Sequence, residues 1–235
     1  MEEVKRLQEK GVDINGCDSK GQKPLFVACL ANETQIVRYL LQNGVKIEVK
    51  NRNGENALFY ATRSSKMDCL KFLIEHAKMN PMSVNKSGKS YMFECKHNND
   101  PKLDVQRFAY LKTNGVVIDK EQLISYLTDQ ACFGVRFGFA EYLKGFLAQA
   151  SRPGKDNILS KEEVKELGGK LIHKINEAHD YISVHNTFLA AIKYLLEIGA
   201  EINMRNPNGQ TALEASQNGR ITQLLQQHLQ QQQQQ

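Results

Sequence analysis

The sequence predicts an all-α solenoid of helix-turn-helix repeats that is interrupted by a helical insertion. The stretch Gly11–Ala77 contains one pattern twice, with a period of 33 residues between such anchors as Gly21 and Gly54. A fixed period of this length is typical of stacked supersecondary units that cannot bury their apolar faces alone. The turn pattern disappears over residues 119–184, although helical spacing of apolar residues continues, and it returns after Gly199.

Each copy contains a turn, which is Asp18-x-x-Gly21 in the first copy and Asn51-x-x-Gly54 in the second. Asp and Asn side chains accept hydrogen bonds from the nearby backbone, and Gly adopts positive φ at no steric cost. We therefore expect Gly21 and Gly54, and Gly209 in a later copy, to hold positive φ.

Two short helices follow each turn. Residues 24–28 (Pro-Leu-Phe-x-Ala) and 57–61 (Ala-Leu-Phe-x-Ala) predict an inner helix. Residues 36–41 and 69–74 are apolar at positions i, i+1, i+4 and i+5, which is one face of an outer helix. Gly44 suits the left-handed end of that helix.

At these residues the sequence resembles ankyrin repeats, whose consensus reads D-x-x-G-x-T-P-L-H-x-A-A and then a second helix ending L-L-x-x-G-A-D-V-N. Over residues 1–77 the turn, both helices and the helix terminator stay in phase. Residues 23–26 (Lys-Pro-Leu-Phe) and 56–59 (Asn-Ala-Leu-Phe) replace Thr-Pro-Leu-His, so packing must replace part of the family's polar bonding. The fold class expected is therefore an ankyrin-repeat solenoid with β-turn fingers.

Residues 1–118 are expected to form the N-terminal ankyrin repeats. Residues 1–10 match the second helix of a half repeat and present a polar outer face suited to capping the stack. The third copy restores the turn at Asn85-x-x-Gly88 and predicts an inner helix over Tyr91–Cys95.

Residues 119–184 are either a helical insertion or two repeats that have lost their turns. Apolar spacing predicts helices around 123–127 and 139–147. Ser160 and Glu163 form an S-x-x-E capping box, which predicts the start of a further helix.

Residues 185–225 are expected to form a C-terminal ankyrin repeat and cap, and 226–235 a glutamine-rich tail. The segment 191–199 overlays on 36–44, and 206–213 contains the most consensus-like finger of the chain. The tail either extends the last helix or is disordered, with disorder as the default.

Composition limits the function classes. The net charge of +5 and pI near 8.8 are a mild bias towards acidic partners, too weak to predict nucleic-acid binding. No apolar run approaches the roughly 20 residues that span a bilayer, and the amino terminus has no apolar signal core. We expect a cytoplasmic protein. Divergent repeat proteins of this kind also resemble effectors that intracellular bacteria deliver into host cells, which implies a host cytoplasm.

The five cysteines are odd in number and lack metal-ligand spacing, so they predict neither a disulfide framework nor a zinc site. Cys29, Cys69 and Cys95 fall on helix positions that suit buried thiols facing a neighbouring repeat. Cys17 and Cys132 complete the set.

A competing function class is an enzyme or a metal-regulated protein whose site lies in 119–184. A stretch containing Asp156 and Glu163 is similar to the later part of a calcium-binding EF-hand loop, but its early positions lack carboxylates and the capping box explains it better. A dyad of Cys132 with His173, His179 or His185 is the catalytic alternative, although no nucleophile motif surrounds Cys132. We assign no catalytic residue, cofactor or metal ligand.

The favoured function is a protein-binding module, because the ankyrin resemblance implies a concave surface of finger tips and inner helices that contacts a protein. The tips are richer in basic than in acidic residues, which indicates a partner with an acidic patch. The sequence leaves the oligomeric state open. The residues expected to contact the partner are Lys20, Gln22, Val27, Lys50, Arg52, Glu55, Tyr60, Lys86, Lys89 and Arg205.

Overall fold

The computed structural model describes residues 1–19, 21–93, 100–130, 139–154, 157–177 and 185–234, without the side chains of 185–187. The helices are α1 Glu2–Glu9, α2 Pro24–Leu30, α3 Thr34–Gln42, α4 Ala57–Thr62, α5 Asp68–Glu75, α6 Pro101–Thr113, α7 Lys120–Asp129, α8 Phe139–Ala150, α9 Lys161–Glu177, α10 His185–Glu197 and α11 Gly219–Gln233. In these ranges β-pairing is limited to one bridge between Val84 and Ser90. None of the described helices combines the length and apolar character needed to cross a bilayer.

The chain divides into two compact units. Unit 1 comprises Met1–Asn98 and Thr113–Val116, and unit 2 comprises Asn99–Lys112 and Val117–Gln235. The domain boundaries expected at residues 118, 184 and 225 stay predictions. They mark where the repeat pattern is kept or lost in the sequence, whereas the two units are defined by compactness.

Unit 1 contains the helical hairpins that the two sequence copies predict. The inner helix α2 packs against its outer helix α3 and against the next inner helix α4, which packs on α5. Pro24 occupies the first position of α2, where its missing N–H costs no intrahelical bond. Asn56 caps α4, since its side-chain oxygen accepts a hydrogen bond from the Leu58 amide at 3.1 Å.

Aromatic rings join successive inner segments of unit 1. The Phe26 ring stacks on Tyr60 with centroids 4.5 Å apart, and the Phe59 ring meets Tyr91 edge-on at 5.9 Å. Tyr91–Phe93 forms a 3₁₀ helix, whereas the remainder of the inner helix predicted over Tyr91–Cys95 lies outside the described residues. These contacts supply the packing that the divergent turn-to-helix motif requires.

Unit 2 is a second set of packed helices, and the helices predicted for 119–184 lie within it. Helix α9 packs on α7 and on α10, and α10 packs on α8 and α11. The Phe108 ring of α6 meets Tyr126 of α7 and Phe146 of α8 edge-on, each at 5.8 Å. The stretch 119–184 therefore shares one core with the C-terminal helices.

The predicted capping box begins α9. The Glu163 carboxylate accepts a hydrogen bond from the Ser160 amide at 2.8 Å, and the Ser160 hydroxyl accepts one from the Glu163 amide at 3.1 Å. Two otherwise unpartnered amides are thereby satisfied at the helix start. Asp156, the other residue of the calcium-binding alternative, lies outside the described residues.

The C-terminal region corrects one expectation and departs from the first two copies. Residues 212–215 form a turn where those copies have an inner helix, with one helical bond from the Ala215 amide to the Thr211 carbonyl at 2.9 Å. The glutamine-rich tail is helical, since α11 runs to Gln233, although Leu225 is the last buried residue of that helix. Disorder was therefore the wrong default for the described part of the tail.

Candidate functional site

Four turns of one construction project from the helical hairpins, and we call them the first to fourth fingers: residues 18–22, 51–55, 85–89 and 206–210. In the second finger the Asn51 amide donates to the Glu55 carbonyl at 2.9 Å, and the Asn51 side-chain oxygen accepts from the Glu55 amide at 3.0 Å. The Gly54 amide closes the turn on the Asn51 carbonyl at 3.0 Å. The other fingers repeat these bonds from Asp18, Asn85 and Asn206. Each finger is thus fixed by its own backbone and one side chain.

The finger glycines confirm the expected left-handed backbone. Gly21, Gly54 and Gly209 have φ values of +74°, +79° and +78°. Gly54 has a second constraint, because a Cβ there would lie 2.9 Å from the backbone nitrogen of Lys86. That Lys86 amide donates to the Asn53 carbonyl at 3.0 Å, so the second and third fingers are joined side by side.

Four cations project from the joined second and third fingers, and we call this surface the finger edge: Lys50, Arg52, Lys86 and Lys89. All four side chains are exposed, and none forms an ion pair with another described residue. Of the other predicted cations, Lys20 lies outside the described residues. Arg205 belongs to the fourth finger in unit 2, where it donates to the Gly209 carbonyl and approaches Glu214 at 3.4 Å.

Glu55 is buried, in contrast to its expected place on the partner-binding surface. Its carboxylate accepts hydrogen bonds from the Asn51 amide group at 2.6 Å and from the Arg63 guanidinium at 2.5 Å. Because Arg63 balances this charge internally, Glu55 supports the second finger and leaves the cations of the finger edge unopposed.

Tyr60 is also buried, although it too was expected to face a partner. Its ring lies against Phe26, its hydroxyl accepts a hydrogen bond from Asn51 at 3.1 Å, and the Arg63 guanidinium lies 5.5 Å from the ring centroid. Arg63 itself stays partly exposed beside the finger. The sequence analysis did not identify Arg63. It could have been found from its position three residues after Tyr60 at the end of α4, because residues three apart on a helix are neighbours.

The remaining predicted contact residues lie on the first repeat. Gln22 is half-buried and ends the first finger, whereas Val27 on α2 is exposed. Val27 and Tyr60 occupy equivalent positions 33 residues apart, so their position faces the preceding inner helix and not the finger tips.

The described buried cysteines are packing residues. Cys29 and Cys69 are fully buried, as expected. Burial is the main cause that raises the pKa of both thiols above their ordinary value, which disfavours the nucleophilic thiolate. Cys95 and Cys132 lie outside the described residues, and so does the proposed pairing of Cys132 with a histidine.

Unit 2 contains a cleft of about 400 Å³ between α7, α9 and the fourth finger. Among the described residues that line it there is no cysteine, serine or threonine. Two lining lysines are ion-paired, Lys170 with Glu121 at 2.8 Å and Lys174 with Glu177 at 2.8 Å. His173 donates from Nε2 to the Met204 carbonyl at 2.9 Å, which ties α9 to the fourth finger. The described residues contain no cluster of three or more His, Cys, Asp or Glu suited to a metal ion.

A buried polar network in unit 2 had no counterpart in the sequence analysis. The Asp104 carboxylate accepts hydrogen bonds from the hydroxyls of Tyr126 and Tyr142, each at 2.7 Å, and from Arg107 at 3.2 Å. Desolvation is the largest influence on the pKa of Asp104 and raises it, against the hydrogen bonds and the Arg107 charge that lower it. The network is closed off from solvent and links α6, α7 and α8.

Comparison with known proteins agrees with this architecture. A family model described as ankyrin repeats (3 copies) matches residues 1–99. The solved human ASB11 ankyrin repeat domain is 20% identical, with a TM-score of 0.58 and coverage of 96% of this chain and 91% of that chain. The ankyrin repeat domain of Bcl-3, a unique member of the IkappaB protein family, is 17% identical, with a TM-score of 0.58 and coverage of 95% and 90%. No curated protein matches the sequence.

The sequence match and the structural matches cover different parts of the chain. The sequence match covers the part in which the finger and both helices recur with a fixed period, whereas the structural match extends through the helices of unit 2. The predicted ankyrin-repeat fold is thus confirmed. Residues 1–99 match the model of the ankyrin-repeat family, and the chain as a whole has the fold of an ankyrin repeat domain.

Proposed function

We propose that this protein is a non-catalytic binding module whose finger edge recognises an acidic patch on a protein partner. The observation that carries the proposal is the joining of two fingers by the hydrogen bond from the Lys86 amide to the Asn53 carbonyl at 3.0 Å. This bond supports the proposal because it joins the backbones of the two fingers that contain or adjoin the four exposed cations. A fixed cluster of like charges is what a complementary acidic surface can recognise.

Binding through the finger edge should cost little conformational entropy. Each finger is closed by side-chain and backbone hydrogen bonds of its own, so its backbone is ordered before a partner arrives. Ordering of a loop on association lowers affinity, and pre-organisation avoids that cost. Arg63 adds a partly exposed guanidinium beside the second finger, although its pairing with Glu55 reduces its free charge.

Capture of partners from cell extract tests the proposal, with quantitative mass spectrometry on wild type and two variants. The finger-edge variant changes Lys50, Arg52, Lys86 and Lys89 to Glu. The matched control makes the same change of charge at four exposed lysines outside the fingers, Lys102, Lys161, Lys165 and Lys193. We expect the control to retain the wild-type partners and the finger-edge variant to lose them.

The captured partner then allows a kinetic test. Charge steering acts mainly on the association rate and is screened by salt, with a Debye length of about 10 Å at 0.1 M. The finger-edge variant should associate at least about tenfold more slowly than wild type at low salt, and the difference should shrink at high salt. Equal rates for wild type and the finger-edge variant at low salt would exclude the finger edge as the recognition surface.

A further inference from the structure

An apolar groove of about 680 Å³ lies in unit 1 beside α1, α2 and α3. Its apolar lining includes Val4 of α1, Val12 after it, Val27 and Ala31 along α2, and Ile36 of α3. Val12 and Val27 are among the most exposed large apolar side chains of the described chain. The groove is separate from the finger edge, which lies on the second and third fingers.

The repeat period shows what kind of element such a groove accepts. Leu7 of α1 is 41% exposed, whereas Leu40, its equivalent in α3, is 1% exposed. Val12 is likewise 51% exposed and its equivalent Val45 is 9% exposed. In that next copy the outer helix α3 packs against the inner helix α2. The same positions around α1 therefore have the shape and polarity of an outer helix that is open to an inner one.

The exposure of α2, which forms the other wall of the groove, also indicates a site for an inner helix. Val27 is 47% exposed, whereas its equivalent Tyr60 is 9% exposed because the Phe26 ring of the preceding inner helix stacks on it at 4.5 Å. A helix seated in the groove would lie on Val27 as α2 lies on Tyr60. Both walls thus match a short helix with one apolar face.

The charges around the groove restrict the occupant further. Asp13 and Glu33 contribute acidic side chains to the lining, Asp18 is engaged in closing the first finger, and the described lining contains no Lys or Arg. The chain's own last helix is a poor electrostatic match, since α11 contains a single basic residue besides its histidine, Arg220. A helix that carries Lys or Arg beside its apolar face suits this lining.

We propose that this groove is a second docking site, which binds a basic amphipathic helix of a partner protein in the place that an inner helix takes one repeat further on. The apolar face of that helix packs on Val27 and Val12, and its flanking cations face Asp13 and Glu33. The site does not depend on the finger edge.

Two stapled, fluorescein-labelled peptides test the proposal by fluorescence anisotropy. Both repeat the sequence of residues 22–33, because α2 shows which side chains fit such a place, and a staple is needed since short helices are marginal in water. The basic probe has lysine at the counterparts of Asn32 and Glu33, because Asn32 contacts Asp68 of the next repeat at 2.8 Å and this end of the probe would lie beside Glu33 of the groove. The acidic probe has glutamate at the same two positions.

The protein variants are matched in residue type. Val27→Lys places a charge in the groove, and Val117→Lys makes the same change at a 75% exposed valine in unit 2. We expect the basic probe to bind wild type and Val117→Lys equally and Val27→Lys at least about tenfold more weakly. Val12→Lys should behave as Val27→Lys does, and it serves if Val27→Lys does not fold by circular dichroism.

Charge preference and the alternative occupant are tested in the same experiment. At low salt the basic probe should bind wild type at least about tenfold more tightly than the acidic probe. Equal affinity of the two probes, or unchanged binding to both groove variants, would overturn the proposal. A wild-type protein that binds neither probe and sediments as a dimer, with Val27→Lys a monomer, would show that a second copy covers the groove.

Discussion

Gly54 sets how closely the second and third fingers approach. Its φ of +79° excludes most side chains, and its contact with Lys86 leaves no space for a Cβ. Gly21 has a similar φ of +74°, but a methyl group added there would meet nothing within 4 Å. The two positions therefore separate backbone strain from loss of the contact between fingers.

Replacement of each glycine by alanine should give different losses of stability. Gly21→Ala should lower the free energy of unfolding by about 1 kcal/mol, because a left-handed alanine is strained. Gly54→Ala should cost roughly 2–4 kcal/mol, since overlap with the Lys86 backbone adds to the strain. Urea denaturation followed by circular dichroism measures both. Equal losses would mean that the second and third fingers are not in close contact.

Asp104 is the residue on which the buried network of unit 2 depends. Asp104→Asn keeps the shape of the side chain but removes the negative charge beside Arg107 and weakens the acceptor for both tyrosine hydroxyls, so we expect a loss of about 3–5 kcal/mol in the free energy of unfolding. Asp119→Asn is the control, because Asp119 is exposed and asparagine caps α7 equally well. A loss for Asp104→Asn as small as that of the control would contradict a charge-balancing role.

Residue-level prediction succeeded where the interaction is local. Asp18 or Asn51 with a glycine three positions later forms a turn from bonds within five residues, so its sequence is sufficient. The burial of Glu55 and Tyr60 was not predictable in this way, because it depends on Arg63 after the inner helix and on Phe26 one repeat earlier.

At the scale of elements, α9 is held close to the segment that follows α10 by two adjacent glycines. A Cβ on Gly168 would lie 2.8 Å from the Cβ of Ala200, and one on Gly169 would overlap the Glu201 carbonyl oxygen. The Glu201 amide also donates to the Lys165 carbonyl at 3.2 Å. Glycine, which weakens an isolated helix, is here required by packing.

Gly169→Ala should therefore destabilise unit 2, despite the better helix propensity of alanine. We expect a loss of about 1–3 kcal/mol in the free energy of unfolding, because the Glu201 backbone must shift. Gly219→Ala at the start of α11 should be neutral or slightly stabilising, since nothing lies within 4 Å of its Cβ position. Thermal melts of the two variants provide the measurement, and a Gly169→Ala protein as stable as wild type would refute the close approach.

Element boundaries followed the sequence where capping residues fixed them. Ser160 and Glu163 predicted the start of α9 because a capping box is a local signal. After the fourth finger the chain forms only a turn, in contrast to the inner helices α2 and α4 of the first two copies, before Asn218 caps α11 through the Arg220 amide at 3.0 Å. That cap lies too near for a helix of several turns to fit between.

At the scale of the whole molecule, the two units differ in how their basic residues are used. In unit 2 two of the four lysines of α9 form ion pairs, Lys170 with Glu121 and Glu166 and Lys174 with Glu177. In unit 1 the cations of the finger edge make no ion pair with another described residue, while Glu55 is neutralised beneath them by Arg63. This contrast supports unit 1 as the recognition unit for an acidic surface.

Hydrogen exchange of the protein with and without its captured partner tests whether the finger edge is the recognition surface. If the finger edge is the recognition surface, binding should slow exchange at the finger amides, including those of Asn53, Ser87 and Lys89. The outer helices α3 and α5 should exchange as in the free protein. Slower exchange confined to those outer helices or to unit 2, with the second and third fingers unchanged, would contradict the account.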